Sequence, residues 1–352
     1  KREHFGQAPV YDVGIYYSAR ARDWYGREQR ERYQLPFNGA YKAMVYKHLT
    51  TGVLLDENLS TGTLAAYPVV VLPDTAIVSE AEVALFDAYV RGGGNLIVTG
   101  NSGCFDRYGA PQSNSSLESL IGAKITRVIV DNDNYVSFAA EPKEIGGLLE
   151  AVPTGWPHLV YGPAVIYEPA GAAAFGQLHA PIRTQRQKEG LEGTSFPSPP
   201  AEAVGPAVLL NTLGKGHVLT FAVSPGMAAG GEYRTVEART LLANAVRSLL
   251  PKPAIEVDAP TYVETTVTRD ERGTYRVHFT GFLSPPGSTD VKRPWAIPEL
   301  MVDTPLYRAE IKASGTIKSA HGVNPTTEVK IVDNTASLLV NDVHEVIVVD
   351  VE

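Results

Sequence analysis

The sequence predicts an α/β protein with two domains: a parallel β-sheet with helices on both faces, followed by a small antiparallel β-sandwich. Up to about residue 250, apolar strand-like runs alternate with amphipathic helical segments, the order that produces a parallel sheet. After Pro253 the apolar residues recur with a period of two, as in antiparallel strands. The prolines at 251 and 253 place the boundary, so we predict domains at residues 1–250 and 251–352.

The first domain opens with alternating strands and helices. Strands are predicted in "YDVGIYYS", "TGVLLDENL", "YPVVVLPD" and "NLIVTG", of which the third is a continuous apolar run typical of a buried parallel strand. Helices are predicted in "NGAYKAMVYKHL" (38–49) and "SEAEVALFDAYVR" (79–91). Ser79 and Glu82 have the spacing of a capping box, and Gly92 stands where a left-handed glycine closes a helix.

The rest of the first domain is less regular. Residues 140–206 are rich in Gly, Pro, Ala and Ser, and include "TSFPSPPAEAVGP", so short strands and long surface loops are expected there. "AVLLNTLGKGHVLTFAVSPG" predicts two strands around a Gly-Lys-Gly turn, and residues 232–250 predict an amphipathic helix that ends at Pro251.

The second domain reads as strands joined by turns. Residues 261–282 predict a hairpin, and four further short strands are predicted in "YRAEIKAS", "TEVKIVD", "TASLLV" and "HEVIVVDVE". About a hundred residues of this kind are typical of a β-sandwich.

Composition excludes several functional classes. The net charge of −8 argues against nucleic-acid binding, and no apolar run approaches the roughly 18 residues of a membrane span. A single cysteine, Cys104, excludes an intrachain disulfide, makes a thiolate metal site improbable, and slightly favours a cytoplasmic location. Neither a metal nor a cofactor is predicted. Because the sequence begins at Lys1 without Met, we expect a processed product or one part of a longer polypeptide.

The glycine-rich stretch "GGGNLIVTGNSGCFD" (92–106) raises two chemical possibilities. A phosphate-binding loop needs its glycines after a strand and before a helix, but here the triplet follows a helix and precedes a strand. The second turn resembles a nucleophile elbow, G-x-S-x-G, with Ser102 in the serine position and Cys104 in place of the last glycine. The helix that should follow is missing, and sequence alone brings no histidine to Ser102 or Cys104.

Several stretches resemble the domain that follows the catalytic barrel in glycoside hydrolase family 42 β-galactosidases. They are "VGIYYSARARDWYG", "FNGAYKAMVYKHLTTGVLLDENL", residues 67–106 and "GKGHVLTFAVSPG", and together they extend the resemblance over residues 10–250. The family's domain is a flavodoxin-like, class I glutamine amidotransferase-like fold, known as the trimerisation domain. Residues 251–282 are similar to the small β-sandwich that closes such enzymes.

The resemblance implies that the elbow is degenerate. In active amidotransferases the nucleophile follows the strand that "NLIVTG" resembles, and a His-Pro-Glu segment follows the strand that "HVLTF" resembles. This chain has Ser224, Pro225 and Gly226 at the second place, with neither His nor Glu. Ser102 and Cys104 therefore look like remains of a catalytic turn.

The resemblance also implies an accessory role in a glycosidase. Glycoside hydrolysis needs two carboxylates on a rigid scaffold, which family 42 enzymes place on a (β/α)8 barrel. This chain has too few βα units for a barrel, and pairs such as Asp56–Glu57 and Asp131–Asp133 are expected to be solvated loop charges. The implied function is the oligomerising part of a β-galactosidase-like protein acting on carbohydrate. It would form a homo-oligomer, a trimer by resemblance, or work with a barrel-bearing partner or segment.

One loop pair remains as a candidate ligand or interface site. Arg22, Asp23, Trp24 and Tyr25 follow the first strand, at the edge where open α/β sheets bind ligands. Phe105, Asp106, Arg107 and Tyr108 follow another strand at the same edge. Such a mixture of aromatic and charged groups suits a sugar ring or a partner surface, and a loop packed under the protein's own surface is the alternative. Two other functional classes stay open: a stand-alone carbohydrate-binding or structural module, and a hydrolase that uses Ser102 or Cys104.

Overall fold

The computed structural model describes residues 2–181, 202–231, 233–281 and 306–352. Residues 182–201 of the predicted loop segment, Glu232 at the predicted start of the last helix, and Phe282 at the end of the predicted hairpin lie outside these residues. The internal contacts divide the chain into two compact units. The larger unit comprises Val13–Ala43 and Thr51–Pro251, and the smaller comprises Lys1–Asp12, Met44–Thr50 and Lys252–Glu352.

The larger unit is built on a nine-stranded mixed sheet. Its strand order is β3-β2-β4-β5-β12-β11-β10-β7-β8, and a separate pair is formed by β6 and β9. The strands are β2 Val13–Tyr17, β3 Thr51–Leu55, β4 Val69–Leu72, β5 Asn95–Thr99, β6 Ala123–Ile129, β7 Asp133–Ser137, β8 His158–Tyr161, β9 Ala164–Pro169, β10 Ala173–His179, β11 Gly205–Leu213 and β12 Gly216–Phe221.

The first five strands of the sheet, β3 to β12 in spatial order, are mutually parallel. The other four pair antiparallel, so the prediction of a parallel sheet is correct for one half of the sheet and wrong for the other. Burial explains the difference in predictability. Every residue of β4 and β5 is buried, which leaves a continuous apolar signature, whereas the first residues of β10 are exposed and polar or small.

Helices accompany the parallel strands. They are α1 Glu31–Val45, α2 Thr61–Leu64, α3 Glu80–Gly92, α4 Glu118–Ile121, α5 Pro225–Gly230 and α6 Val236–Leu249. Helix α1 begins seven residues before the predicted start at Asn38 and includes Pro36, which disguises its first turns in the sequence. Short 3₁₀ turns occur at Arg2–His4 and Asp56–Asn58, and a π-helical turn at Ala21–Tyr25.

The two ends of α3 follow from local chemistry. The predicted capping box is present: the Ser79 side chain accepts from the Glu82 amide, and the Glu82 side chain accepts from the Ser79 amide. The left-handed glycine at the other end is Gly93, with φ of 116°, while Gly92 is the last helical residue. The predicted closing position was therefore one residue early.

The smaller unit consists of two antiparallel sheets that share one core. Their orders are β1-β14-β15-β20-β17 and β13-β16-β19-β18. The strands are β1 Ala8–Pro9, β13 Ile255–Asp258, β14 Val263–Arg269, β15 Tyr275–Gly281, β16 Tyr307–Ala313, β17 Ile317–Gly322, β18 Glu328–Val332, β19 Thr335–Val340 and β20 His344–Val351. Alternate residues of both sheets, such as Val277, Phe279, Ile311 and Leu338, pack into a single hydrophobic cluster, which is the arrangement of a β-sandwich.

Two short segments from early in the chain belong to this smaller unit. Strand β1 pairs with β14, and His48 Nε2 lies 2.6 Å from the Ala259 carbonyl oxygen. Asp12 and Thr50 exchange hydrogen bonds through both main chain and side chains. The limits 1–250 and 251–352, as independently folding domains, remain a prediction.

Candidate functional site

The carboxyl ends of β2, β4, β5 and β12 meet at one edge of the larger sheet because these strands are parallel. The segments that follow them carry most of the sequence-predicted site residues. The segment after β2 contains the turn Ala21–Tyr25, and the segment after β5 runs from Gly100 toward α4 without a helix of its own, as predicted.

The turn after β2 is held by its own polar groups. The Ser18 hydroxyl accepts from the Ala21 amide at 3.1 Å, and the Asp56 carboxylate accepts from the Ala19 amide at 2.7 Å. The Tyr33 hydroxyl accepts from the Ser18 amide at 2.8 Å. These hydrogen bonds hold the main chain of the turn that carries the side chains of residues 22–25.

The structure brings the two predicted loops together through aromatic contacts. The rings of Trp24 and Tyr108 meet edge to face with centroids 5.7 Å apart. The rings of Tyr25 and Phe105 lie 4.5 Å apart. Gly109, with φ of 81°, allows close approach of the backbones, since a Cβ there would lie 3.0 Å from the Trp24 carbonyl oxygen.

The Asp106 carboxylate stabilises the turn of the second loop by accepting hydrogen bonds from main-chain amides. Its Oδ1 accepts from the amides of Tyr108 and Ala110, each at 2.9 Å. These backbone hydrogen bonds lower the pKa of Asp106 because they favour the charged carboxylate. Above this turn the Arg107 guanidinium lies 4.6 Å from the centre of the Tyr108 ring.

A cleft of about 1130 Å³ opens beside the paired loops. Its walls include Arg20, Trp24, Ser79 and Asn114 together with the predicted residues Phe105, Asp106, Arg107 and Tyr108. Trp24 is 45% exposed and Tyr108 is 57% exposed, so both side chains present a large part of their surface to solvent. We call Trp24, Arg107 and Tyr108 the aromatic rim.

Arg22 and Asp23 point elsewhere and pair with each other. Arg22 Nε lies 2.6 Å from Asp23 Oδ1, and Arg22 Nη1 donates to the Tyr17 hydroxyl at 2.8 Å. The hydrogen bond from Arg22 lowers the pKa of Asp23. Both residues line a smaller groove of about 370 Å³ with Arg27 and Arg30. Tyr25 contributes to neither groove and lines a separate cavity.

Ser102 and Cys104 are buried in the turn after β5. Ser102 is fully buried, and its hydroxyl donates to the Thr99 carbonyl oxygen at 2.8 Å and accepts from the Thr75 amide at 2.9 Å. Cys104 is 2% exposed, and burial raises the pKa of its thiol to about 12. In the described residues no hydrogen bond joins either side chain to a histidine.

A buried polar cluster at the same edge was not predicted. Asp74, directly after β4, accepts hydrogen bonds from Thr99 Oγ1 at 2.7 Å and from the Ser224 hydroxyl. Asp74 is 2% exposed, and burial raises the pKa of its carboxyl to about 6. The sequence signal was only the Pro-Asp pair after an apolar run, which also marks ordinary turns.

Two further features bear on function. In the residues that the structure describes, no group of three or more His, Cys, Asp or Glu side chains is arranged to hold a metal ion. Within the same part of the chain, no helix has the length and apolar character needed to cross a membrane.

Comparison with known proteins relates part of the larger unit to a described domain family. Residues 12–154 match the family model described as the beta-galactosidase trimerisation domain. The resemblance of the sequence to the trimerisation domain of β-galactosidases is therefore confirmed over these residues. No curated protein matches the sequence significantly.

Solved structures share the fold over nearly the whole chain. The alpha-L-fucosidase isoenzyme 2 from Paenibacillus thiaminolyticus has a TM-score of 0.73 at 14% identity, covering 98% of this chain and 49% of its own. A catalytic mutant of Gan42B, a GH42 beta-galactosidase from G. stearothermophilus, has a TM-score of 0.59 at 17% identity. The match covers 98% of this chain and 40% of the Gan42B chain. The beta-galactosidase from Bacillus circulans sp. alkalophilus has a TM-score of 0.59 at 12% identity. The match covers 98% of this chain and 42% of the β-galactosidase chain. The chain thus spans half or less of each of these structures.

Proposed function

We propose that this chain is the oligomerising, accessory part of a β-galactosidase-like glycoside hydrolase that acts on carbohydrate together with a catalytic barrel. The observation that carries the proposal is the match of residues 12–154 to the trimerisation domain. The shared fold over 98% of the chain adds support, because the similar glycosidase structures contain this fold as about half or less of their length.

The larger unit is proposed to have the flavodoxin-like, class I glutamine amidotransferase-like fold. Supporting this, the parallel strands follow the spatial order β3-β2-β4-β5-β12, which in chain order is 2-1-3-4-5, the flavodoxin-like order. The antiparallel strands β11, β10, β7 and β8 extend this sheet beyond its last parallel strand.

The turn with Ser102 and Cys104 is proposed to be a degenerate elbow without catalytic function. A nucleophile must be reachable and must contact a base. Ser102 is buried, and its hydroxyl is hydrogen-bonded to the main chain. The pKa of the Cys104 thiol is raised. Ser224, which stands where an active relative has its histidine, donates to Asp74 and, within the described residues, hydrogen-bonds to neither Ser102 nor Cys104. These facts weigh against the hydrolase alternative.

The aromatic rim is proposed to contact a neighbouring subunit close to its sugar site. Trp, Tyr and Arg are the residue types that contribute most to interface energies, and here they lie side by side and exposed. Phe105 and Asp106 support this surface from below, whereas Arg22 and Asp23 would form a separate, charged contact.

The oligomeric state tests this proposal. We expect light scattering coupled to size-exclusion chromatography to give three times the chain mass. The double substitution Trp24→Ala and Tyr108→Ala should raise the dissociation constant at least tenfold, since each such anchor contributes roughly 2 kcal/mol. Unchanged thermal unfolding of the variant would show that folding is intact.

Trp156→Ala is the matched control because Trp156 is also exposed, at 59%, but lies outside the rim. It should leave the assembly unchanged. A protein that stays monomeric at all concentrations, without a barrel-bearing partner, would contradict the proposal. In that case the carbohydrate-binding alternative would gain support, and titration with oligosaccharides using Trp24→Ala would test it.

A further inference from the structure

The separate cavity that Tyr25 lines lies at the same sheet edge and shares only Phe105 with the cleft beside the aromatic rim. It has a volume of about 590 Å³, within the usual range of roughly 300–1,000 Å³ for small-molecule sites. It is bounded by Tyr25 after β2, Asn101 after β5, Met227 in α5, and by Val128, Asn132 and Tyr161 from the antiparallel part of the unit. We call it the Tyr25–Tyr161 cavity.

We propose that the Tyr25–Tyr161 cavity binds a neutral, hydroxyl-rich molecule of the size of a monosaccharide. The proposal is independent of the assembly role of the aromatic rim, because the residues that carry it do not belong to the rim. The evidence for the proposal is that apolar side chains and polar side chains line the cavity together, and that some polar atoms make no hydrogen bond within the described residues.

The hydrogen-bonding groups offer both donors and an acceptor. The Tyr25 hydroxyl accepts from Asn101 Nδ2 at 2.7 Å, so its own proton has no acceptor among the described residues. The Tyr161 hydroxyl receives only a long bond of 3.4 Å from Asn132 Nδ2. The main-chain carbonyl oxygen of Asn132 accepts from the Gly162 amide, whereas its side-chain Oδ1 makes no hydrogen bond within the described residues. Hydroxyl groups of a ligand can both accept from the phenols and donate to this amide oxygen.

Asn101 adds a further unsatisfied group in the wall. It is 2% exposed, and its Oδ1 has no hydrogen-bond partner in the described structure. Buried polar atoms without partners are rare in folded proteins and mark places where a ligand or water completes the network.

Charge and shape narrow the class of ligand. The lining of the Tyr25–Tyr161 cavity includes one acid and one base, Glu31 and Arg32, so it has no net charge and gives no advantage to an anion. The rings of Tyr25 and Phe105 meet at 51°, so they do not form a parallel-sided slot for a planar base. A saturated, non-planar ring with hydroxyl groups fits such walls better.

Binding to the full chain tests the proposal, with saturation-transfer NMR and calorimetry on D-galactose, D-glucose and myo-inositol. We expect at least one of them to bind in the millimolar range or tighter. The double substitution Asn132→Ala and Tyr161→Phe should weaken that binding at least tenfold, because it removes the accessible acceptor and one donor while keeping the Tyr161 ring. An unchanged melting temperature would show that the variant is folded.

Trp156→Ala serves as the control, because Trp156 is exposed and lies outside both the aromatic rim and this cavity, and it should leave the binding unchanged. Three results would overturn the proposal: no binding of any of the three probes, equal binding by the double variant and the natural protein, or the same loss of binding in Trp156→Ala. Because oligomer mass is measured separately, a failure here does not affect the assembly proposal.

Discussion

Asp74 shows how a single residue can depend on the whole sheet edge. It has a left-handed backbone conformation, with φ of 48°, and its carboxylate accepts from two hydroxyls that follow other strands. Gly100 is required beside it, since a Cβ at that position would lie 2.5 Å from Asp74 Oδ1. The cluster therefore links the ends of β4, β5 and β12.

The titration of Asp74 gives a prediction for the pH dependence of stability. Burial raises its pKa from 3.8 to about 6, so between these values the folded protein holds a proton that the unfolded chain has released. The contribution of Asp74 to the free energy of unfolding is therefore largest below pH 3.8 and falls as pH rises through 6, by roughly 3 kcal/mol.

Asp74→Asn should remove this slope, since Asn does not titrate and tolerates a positive φ. We expect the stability of the variant, relative to the natural protein, to increase between pH 4 and pH 7. Urea unfolding at several pH values measures the difference. Parallel pH profiles for the two proteins would contradict the prediction.

At the scale of elements, the clearest local signal was the capping box of α3. Ser79 and Glu82 satisfy each other's amides, and the Glu82 carboxylate also accepts from the Tyr16 hydroxyl at 2.5 Å. The box thus closes the helix end and ties it to β2.

Ser79→Ala should lower the free energy of unfolding by about 1 kcal/mol, the usual cost of losing an N-cap side chain. Ser60→Ala is the matched control, because Ser60 has the same capping geometry on the four-residue, exposed helix α2. We expect a smaller loss there, since so short a helix can fray at little cost. Chemical denaturation of both variants measures the effects, and equal losses would contradict this interpretation.

The sheet shows where element prediction reached its limit. The parallel strands were identified because burial on both faces makes β4 and β5 continuous apolar runs. Strands β7 to β10 carry weaker patterns, and the short strand β17 was missed because its residues 318–322 are exposed or half-buried. Pairing partners far along the chain, which the sequence does not reveal, decide that these segments are strands.

At the scale of the whole molecule, the chain does not divide at one point. The smaller unit takes in Lys1–Asp12 and Met44–Thr50 as well as its long C-terminal portion. The Val10 amide donates to the Val267 carbonyl oxygen at 2.9 Å, continuing the pairing of β1 with β14. Sequence patterns place a boundary at Pro251, where the apolar period changes, and this boundary between independently folding domains remains a prediction.

This arrangement predicts that a fragment of residues 251–352 is less stable than the same residues in the full chain. It would lose β1 and the His48 contact with Ala259, and would leave the edge of β14 unpaired. Hydrogen exchange monitored by mass spectrometry should show reduced protection in β14, by at least about 1 kcal/mol in opening free energy. Equal protection in the fragment and the full chain would instead support an autonomous domain.

The sequence by itself determined the class of the fold, most of the parallel strands, the capped helix and the resemblance to a trimerisation domain. These features depend on periodicity and on short motifs, which neighbouring residues encode. It also named Trp24 and Tyr108, because aromatic residues after strands stand out in a sequence. Only the tertiary structure decided that the two rings meet while Arg22 turns away, that Asp74 holds Ser224, and that Tyr25, Asn132 and Tyr161 enclose a cavity. Those contacts join residues far apart in the chain, and the packing of the sheet, rather than any local pattern, sets which side chains face each other.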